Sequence, residues 1–264
     1  MGGLQNKLCC VDNGSSEDGY NSNLKVTTSD LKYSKSGKTI LNSLSEEQKV
    51  LNLSSSNFSS EEIRYLSDCK MLKNLTELNL SGNMFGSEGM LHFGQCDYLH
   101  NLKSLYLSNN KIEDLGVKHL TDCKFLNSLE RLELQSNEIH PKGVRYFSEC
   151  EFFTNLVYLD FSDNSIWSLG IKYLADCNFL NSNLQELRIN KNNIDSDGIR
   201  HLANCEFEHI SVIDLSDNKI GDGIKHVDKC KFNEKIKVMK LQNNNINIDD
   251  QKVFMRKFEF ITFS

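Results

Sequence analysis

Residues 99–123 read LHNLKSLYLSNNKIEDLGVKHLTDC, and residues 126–150 read LNSLERLELQSNEIHPKGVRYFSEC. The leucines, the asparagine, the glycine and the terminal cysteine of the two stretches fall in register. Extended in both directions, the alignment places unit starts at Gln48, Leu75, Leu102, Leu129, Leu156, Leu184, Ile210 and Ile236, spaced 27, 27, 27, 27, 28, 26 and 26 residues apart. The shared frame is L-x-x-L-x-L-x-x-N-x-I-x-x-x-G-I-x-x-L-x-x-C. Self-similarity at one period of this size is the signature of a stacked-repeat architecture.

Each unit changes its periodicity part-way. In the first third, pairs such as Leu78/Leu80, Leu105/Leu107 and Leu132/Leu134 alternate with other residues, as a half-buried strand requires. The ninth position holds Asn83, Asn110, Asn137, Asn164, Asn192, Asn218 and Asn244. An asparagine amide bonds nearby backbone at turns, so stacked units can link a column of such amides. A glycine at the fifteenth position (Gly89, Gly116, Gly143, Gly170, Gly198, Gly223) reads as a tight entry into the second half. There, Val117, Leu120 and Cys123 and their counterparts form an i, i+3, i+6 stripe, one face of a short helix. Tyr98, Phe125, Phe152, Phe179, Phe207 and Phe232 form an aromatic column that reads as a second core spine. One unit cannot bury its own apolar face, whereas a stack can, and its ends need caps. Residues 38–49 are expected to cap one end. The tail from Asn247, with Phe254, Phe258 and Phe260, is expected to cap the other, the helical frame being lost after Ile246.

This pattern resembles the leucine-rich-repeat family, in its ribonuclease-inhibitor-like form. The matching residues are the L-x-x-L-x-L-x-x-N-x-I core, the following G-I/V-x-x-L and the period of 26–28 residues, from Gln48 to the C-terminus. The resemblance implies an α/β fold: a right-handed, curved solenoid with a parallel sheet on its concave side and helices on its convex side. The division it suggests is a disordered, lipidated N-terminal tether over residues 1–37 and a repeat domain of about eight units with two caps over residues 38–264. Terminal units are expected to depart from the frame, as Ser56 and Glu62 do in the first.

Composition narrows the function. The net charge is −6 with no arginine-rich block, which argues against a nucleic-acid partner. No stretch approaches 18 uninterrupted apolar residues. Seven of the nine cysteines occupy one repeat position, 25 to 28 residues apart, so they form a column in the core and not a metal cluster. Reduced buried thiols suit a cytosolic setting. His92, His119, His201 and His226 share a position with Tyr65, Tyr146 and Tyr173 and read as structural. The basic row Arg64, Lys118, Arg145, Lys172, Arg200 and Lys225 has Asp68, Asp122, Glu149 and Asp176 four residues on, a spacing for helical ion pairs. Ser36–Thr39 lacks the first glycine of a phosphate loop, and Asp195-x-Asp197 is too short for a calcium loop. No catalytic set, metal, cofactor or small-molecule substrate is expected.

The third, fifth and seventh positions of each unit face away from the core. The repeat does not dictate their identity, so contact with a partner protein can. Tyr106, Arg131, Glu133, Tyr158, Asp160, Glu186 and Arg188 vary where the frame does not, and Trp167, the single tryptophan, falls just after Ile166 in the strand-to-helix turn of the fifth unit. Tyr, Arg and Trp dominate binding hot spots, and these residues are expected to form one partner-binding patch. At the other end, Met1-Gly2-Gly3-Leu4-Gln5-Asn6-Lys7 resembles an N-myristoylation signal with Asn6 at the usual Ser/Thr position. One acyl chain anchors only marginally, and Cys9 and Cys10 could add palmitate. The reading is therefore a non-enzymatic interaction scaffold, peripheral on the cytosolic leaflet of a membrane or, alternatively, in the soluble cytosol. Two other readings stand beside it. One is a GTPase activator of the Ran-activator type, a class that shares the repeat but carries an acidic tail. The other is a pathogen effector lipidated inside its host.

Overall fold

The computed structural model describes residues 34–263. The lipidation candidates Gly2, Cys9 and Cys10 lie outside the described residues. Among the described residues no helix is long and apolar enough to cross a membrane.

Nine short parallel strands form one open sheet in sequence order: β1 (Val50–Asn52), β2 (Glu77–Asn79), β3 (Ser104–Tyr106), β4 (Arg131–Glu133), β5 (Tyr158–Asp160), β6 (Glu186–Arg188), β7 (Val212–Asp214), β8 (Val238–Lys240) and β9 (Ile261–Thr262). The repeat spacing is the sheet register. Val50 pairs with Glu77, Ser104 with Arg131, Tyr158 with Glu186 and Glu186 with Val212. The central residue of each strand, Leu78, Leu105, Leu132 or Leu159, has no exposure. Period two puts its neighbours on the opposite face.

Between strands the chain returns through helices that pack side by side. They are α2 (Ser60–Ser67), α3 (Gly86–Phe93), α4 (Glu113–Leu120), α5 (Pro141–Ser148), α6 (Trp167–Ala175), α7 (Asn178–Asn183) and α8 (Ser196–Leu202), with a 3₁₀ segment at Gly221–Lys229 in the seventh unit. Before β1, α1 (Lys35–Ser43) is capped by Ser34 and buries Ile40. Ser36–Thr39 therefore lie inside a helix. The tail does more than cap. Although the repeat frame is lost there, it keeps a helix, α9 (Ile248–Lys257), and it adds β9 to the sheet.

The asparagine column is the joint between units. Asn137 is fully buried; its Nδ2 donates to Leu107 O of the preceding unit at 2.9 Å, and its Oδ1 accepts from Asn110 N at 2.9 Å and Ile112 N at 3.3 Å. Asn110 and Asn164 repeat the pattern one unit either side. The residue just before the ninth position has positive φ in every unit, from Ser55 at 52° to Gly82 at 73°. Ser, Asn and Asp fill six of those eight places, residue types whose short polar side chains ease that conformation.

Three expectations need correction. The glycines serve close packing inside helices and not a turn: a Cβ at Gly170 would stand 2.8 Å from Ile166 Cβ and 3.4 Å from Val144 Cγ2 of the neighbouring helix. The aromatic spine is interrupted. Phe207 and Phe232 are buried, but Phe125, Phe152 and Phe179 are only partly so, and in that unit Phe153 takes the core place. Of the i, i+4 pairs only Arg145–Glu149 forms, at 3.0 Å. Arg64 and Arg200 instead pair one turn back with Glu61 and Asp197, at 3.2 and 3.0 Å, the i, i+3 spacing that also brings helix side chains together.

All seven repeat cysteines are free and buried. Burial, with smaller help from neighbouring charges, pushes the thiols of Cys69, Cys123, Cys205 and Cys230 up to about 12 from 9.0. The consequence for stability has a definite sign. Between those two values the unfolded chain has lost the proton that the folded chain keeps, so stability falls as pH rises, by about 1.4 kcal/mol per pH unit per thiol. Denaturant midpoints at about pH 8 and about pH 10.5 should therefore differ less in Cys123→Ala than in the native chain, by roughly 2 kcal/mol. An equal loss in both would show that this thiol is not held neutral by burial.

Candidate functional site

The face of the sheet opposite the helices carries the third, fifth and seventh positions of each unit. Four of the predicted residues interlock there across β3–β6. The Arg131 guanidinium lies over the Tyr158 ring at 3.5 Å and 5.7 Å from that of Tyr106, while Arg188 sits 5.3 Å from Tyr158 on its other side. Cation–π contacts of this kind add about 0.5–2 kcal/mol each, more when desolvated. Each arginine is also tied to a carboxylate two residues away on its own strand, Arg131 to Glu133 at 2.6 Å and Arg188 to Glu186 at 2.7 Å. The sequence places these pairs on one face because residues i and i+2 of a strand point the same way.

Tyr158 sits at the centre and is 7% exposed. Burial, reinforced by Asp160, pushes its phenol well above the ordinary tyrosine range, so the hydroxyl stays protonated and donates to Asp160 Oδ2 at 3.3 Å. Asp160 is itself 4% exposed, and its Oδ1 accepts from Ser162 N at 2.7 Å. The same local bond recurs at Asn52, Asn79 and Asp214, each accepting from the seventh-position amide of its unit. The fifth position is therefore partly dictated by the fold wherever it holds Asn or Asp. Tyr106, Glu133 and Arg188 are free of that task.

Trp167 does not join this stack. It begins α6 beyond the strand-to-helix turn, is 51% exposed, and meets the His140 ring edge-on at 6.4 Å. Its surroundings contain residues that sequence reasoning passed over. Leu115 and Leu169 are each about half exposed, in a column where other units carry Glu88, Lys142 and Asp197. That break in an otherwise charged column was the signal available. Asp195, the calcium-like residue, caps α8 through Asp197 N and takes the Ser168 hydroxyl.

Residues 72–94, 98–120, 125–148, 180–203 and 208–224 match the family model for leucine-rich repeats. These stretches are leucine-rich repeats. The chain's architecture, nine parallel strands alternating with helices, is that of an α/β leucine-rich-repeat solenoid. Among solved structures, a chain of the mouse RP105/MD-1 complex is similar at 13% identity and a TM-score of 0.45, over 74% of this chain and 39% of that one. This leucine-rich-repeat chain thus spans well under half the length of that relative. No curated protein matches it.

Proposed function

We propose that this leucine-rich-repeat chain is a non-enzymatic scaffold of the ribonuclease-inhibitor-like type that receives a protein partner on the open sheet face of β3–β6. The observation that carries the reading is the Tyr106–Arg131–Tyr158–Arg188 stack. Elsewhere the same two rows hold Val50, Asn52, Glu77, Asn79, Val212, Asp214, Val238 and Lys240, with no aromatic ring and no arginine. In these four units they hold the residue types most enriched at hot spots. The stack is also ordered in advance by its own ion pairs, which lowers the entropic cost of binding. A period of 26–28 residues with a helix in most units supports the subtype.

The test is a photo-crosslinking scan in cells. Tyr106→benzoylphenylalanine should give one discrete protein adduct. Unlabelled native chain should compete with it, and Tyr158→Ala should compete about ten- to a hundredfold more weakly. Equal competition by Tyr158→Ala, or the same adduct from Leu91→benzoylphenylalanine on α3, would move the binding surface elsewhere.

The N-terminus supplies the address in this reading. Gly2 carries myristate, Cys9 and Cys10 carry palmitate, and the scaffold is held at the cytosolic leaflet. The support is the Met-Gly start and the pairing of a first acyl site with two adjacent thiols, since a single chain binds membranes only marginally. Alkyne-myristate should label the native chain and not Gly2→Ala, and the variant should move to the soluble fraction. A native chain without label would leave a soluble scaffold with the same binding face.

A further inference from the structure

We propose that a second surface, separate from the sheet face, binds a basic, amphipathic segment of a protein partner. It lies along the strand-to-helix edge of units three to five. A cleft of about 400 Å³ opens there between α4 and α5, lined by Glu113, Asp114, Leu115, Glu138, His140 and Tyr146 together with Lys142. On the far side of His140 stands Trp167, and Leu169 follows it on α6. Leu115, His140 and Trp167 thus follow one another along this edge as an exposed, largely apolar strip, bordered by Glu113, Glu138 and Lys142.

Two observations say what covers the strip. The first is charge. Asp114 is occupied, its Oδ1 accepting from His140 N at 2.8 Å and Gly143 N at 2.9 Å. Glu113 and Glu138 are exposed and have no ion-pair partner among the described residues. The one cation of the lining, Lys142, lies 5.9 Å from the Tyr146 ring, so the two carboxylates leave the edge net negative and complement a lysine or arginine that neighbours a bulky apolar side chain. The second is the backbone at Trp167. Its φ is +50°, a left-handed backbone shared by the matching places Gly86, Glu113 and Gly221, at +66°, +59° and +50°. A bulky side chain in the left-handed region is a genuine outlier. Here the residue leaves half its surface in solvent, so covering the core does not account for it. A tryptophan held outward at a backbone cost is the expected form of an anchor for a partner.

The chain has a single tryptophan, so its emission reports this surface alone. The probe is a synthetic peptide of alternating Lys-Lys and Leu-Leu pairs, titrated into the full chain. Trp167 emission should shift to the blue and saturate. Glu113→Gln with Glu138→Gln should weaken the titration about tenfold, while Glu208→Gln with Glu234→Gln should leave it unchanged. Tyr158→Ala should also leave it unchanged, which separates this surface from the sheet face. The proposal is overturned if both charge variants lose equally or if a Glu-Glu/Leu-Leu peptide shifts the emission as far. A shift produced only by phosphatidylserine vesicles, or by raising the concentration of the chain alone, would assign the strip to a membrane or a second copy and would equally overturn it.

Discussion

Everything in this molecule rests on the carboxamide of the ninth repeat position. The turn that ends each strand exposes backbone N–H and C=O groups, and an unpaired buried group of that kind costs about 1–3 kcal/mol. A buried asparagine presents two donors and an acceptor in one plane, and the neighbouring unit's turn is where they are used. Asn83 is held by Leu53 O and Leu80 O while it serves Ser56 N and Phe58 N, and Asn244 is held by Leu215 O and Leu241 O at the other end. A hydroxyl or an aliphatic group of similar size cannot do both. The period, the sheet register and the straight row of core leucines all follow from that one repeated bond.

The fold was legible because its causes are local and repeated. A leucine at every second position, an asparagine after it and an i, i+3, i+6 stripe occur often enough to reveal both register and layer order. Errors arose where one residue type serves two ends. Gly170 looks like a turn glycine but is needed because a Cβ there would run into Ile166 and crowd Val144. Phe152 and Phe153 are adjacent, and only packing decides which one enters the core. The tail after Ile246 abandons the repeat spacing while keeping its alternation of helix and strand, so period alone could not find β9.

The site was legible in part. Tyr106, Arg131, Tyr158 and Arg188 stand out because they are hot-spot residue types in two rows that the repeat leaves variable, and strand geometry brings them together. The intrastrand pairs Arg131–Glu133 and Arg188–Glu186 follow from i, i+2 placement. That Asp160 is fixed by Ser162 N could be seen only once Asn52, Asn79 and Asp214 were found in the same bond. Trp167 was noticed as a type and misplaced in space, because its unit number says nothing about which side of the turn it occupies. The two surfaces also differ in character: the sheet face is ordered by its own ion pairs, whereas the turn edge keeps free carboxylates beside exposed apolar groups.

The central claim is that the units are coupled through the asparagine column, and Asn137→Ala tests it most directly. The substitution removes the acceptor for Asn110 N and Ile112 N and the donor to Leu107 O inside a dry turn. Equilibrium denaturation should show a loss of about 3 kcal/mol or more, with native-state hydrogen exchange at the Asn110 and Ile112 amides rising far above that at the strand amide of Leu105. A loss below about 1 kcal/mol, with both amides still protected, would mean that leucine packing alone holds the stack and that the column is only a passenger.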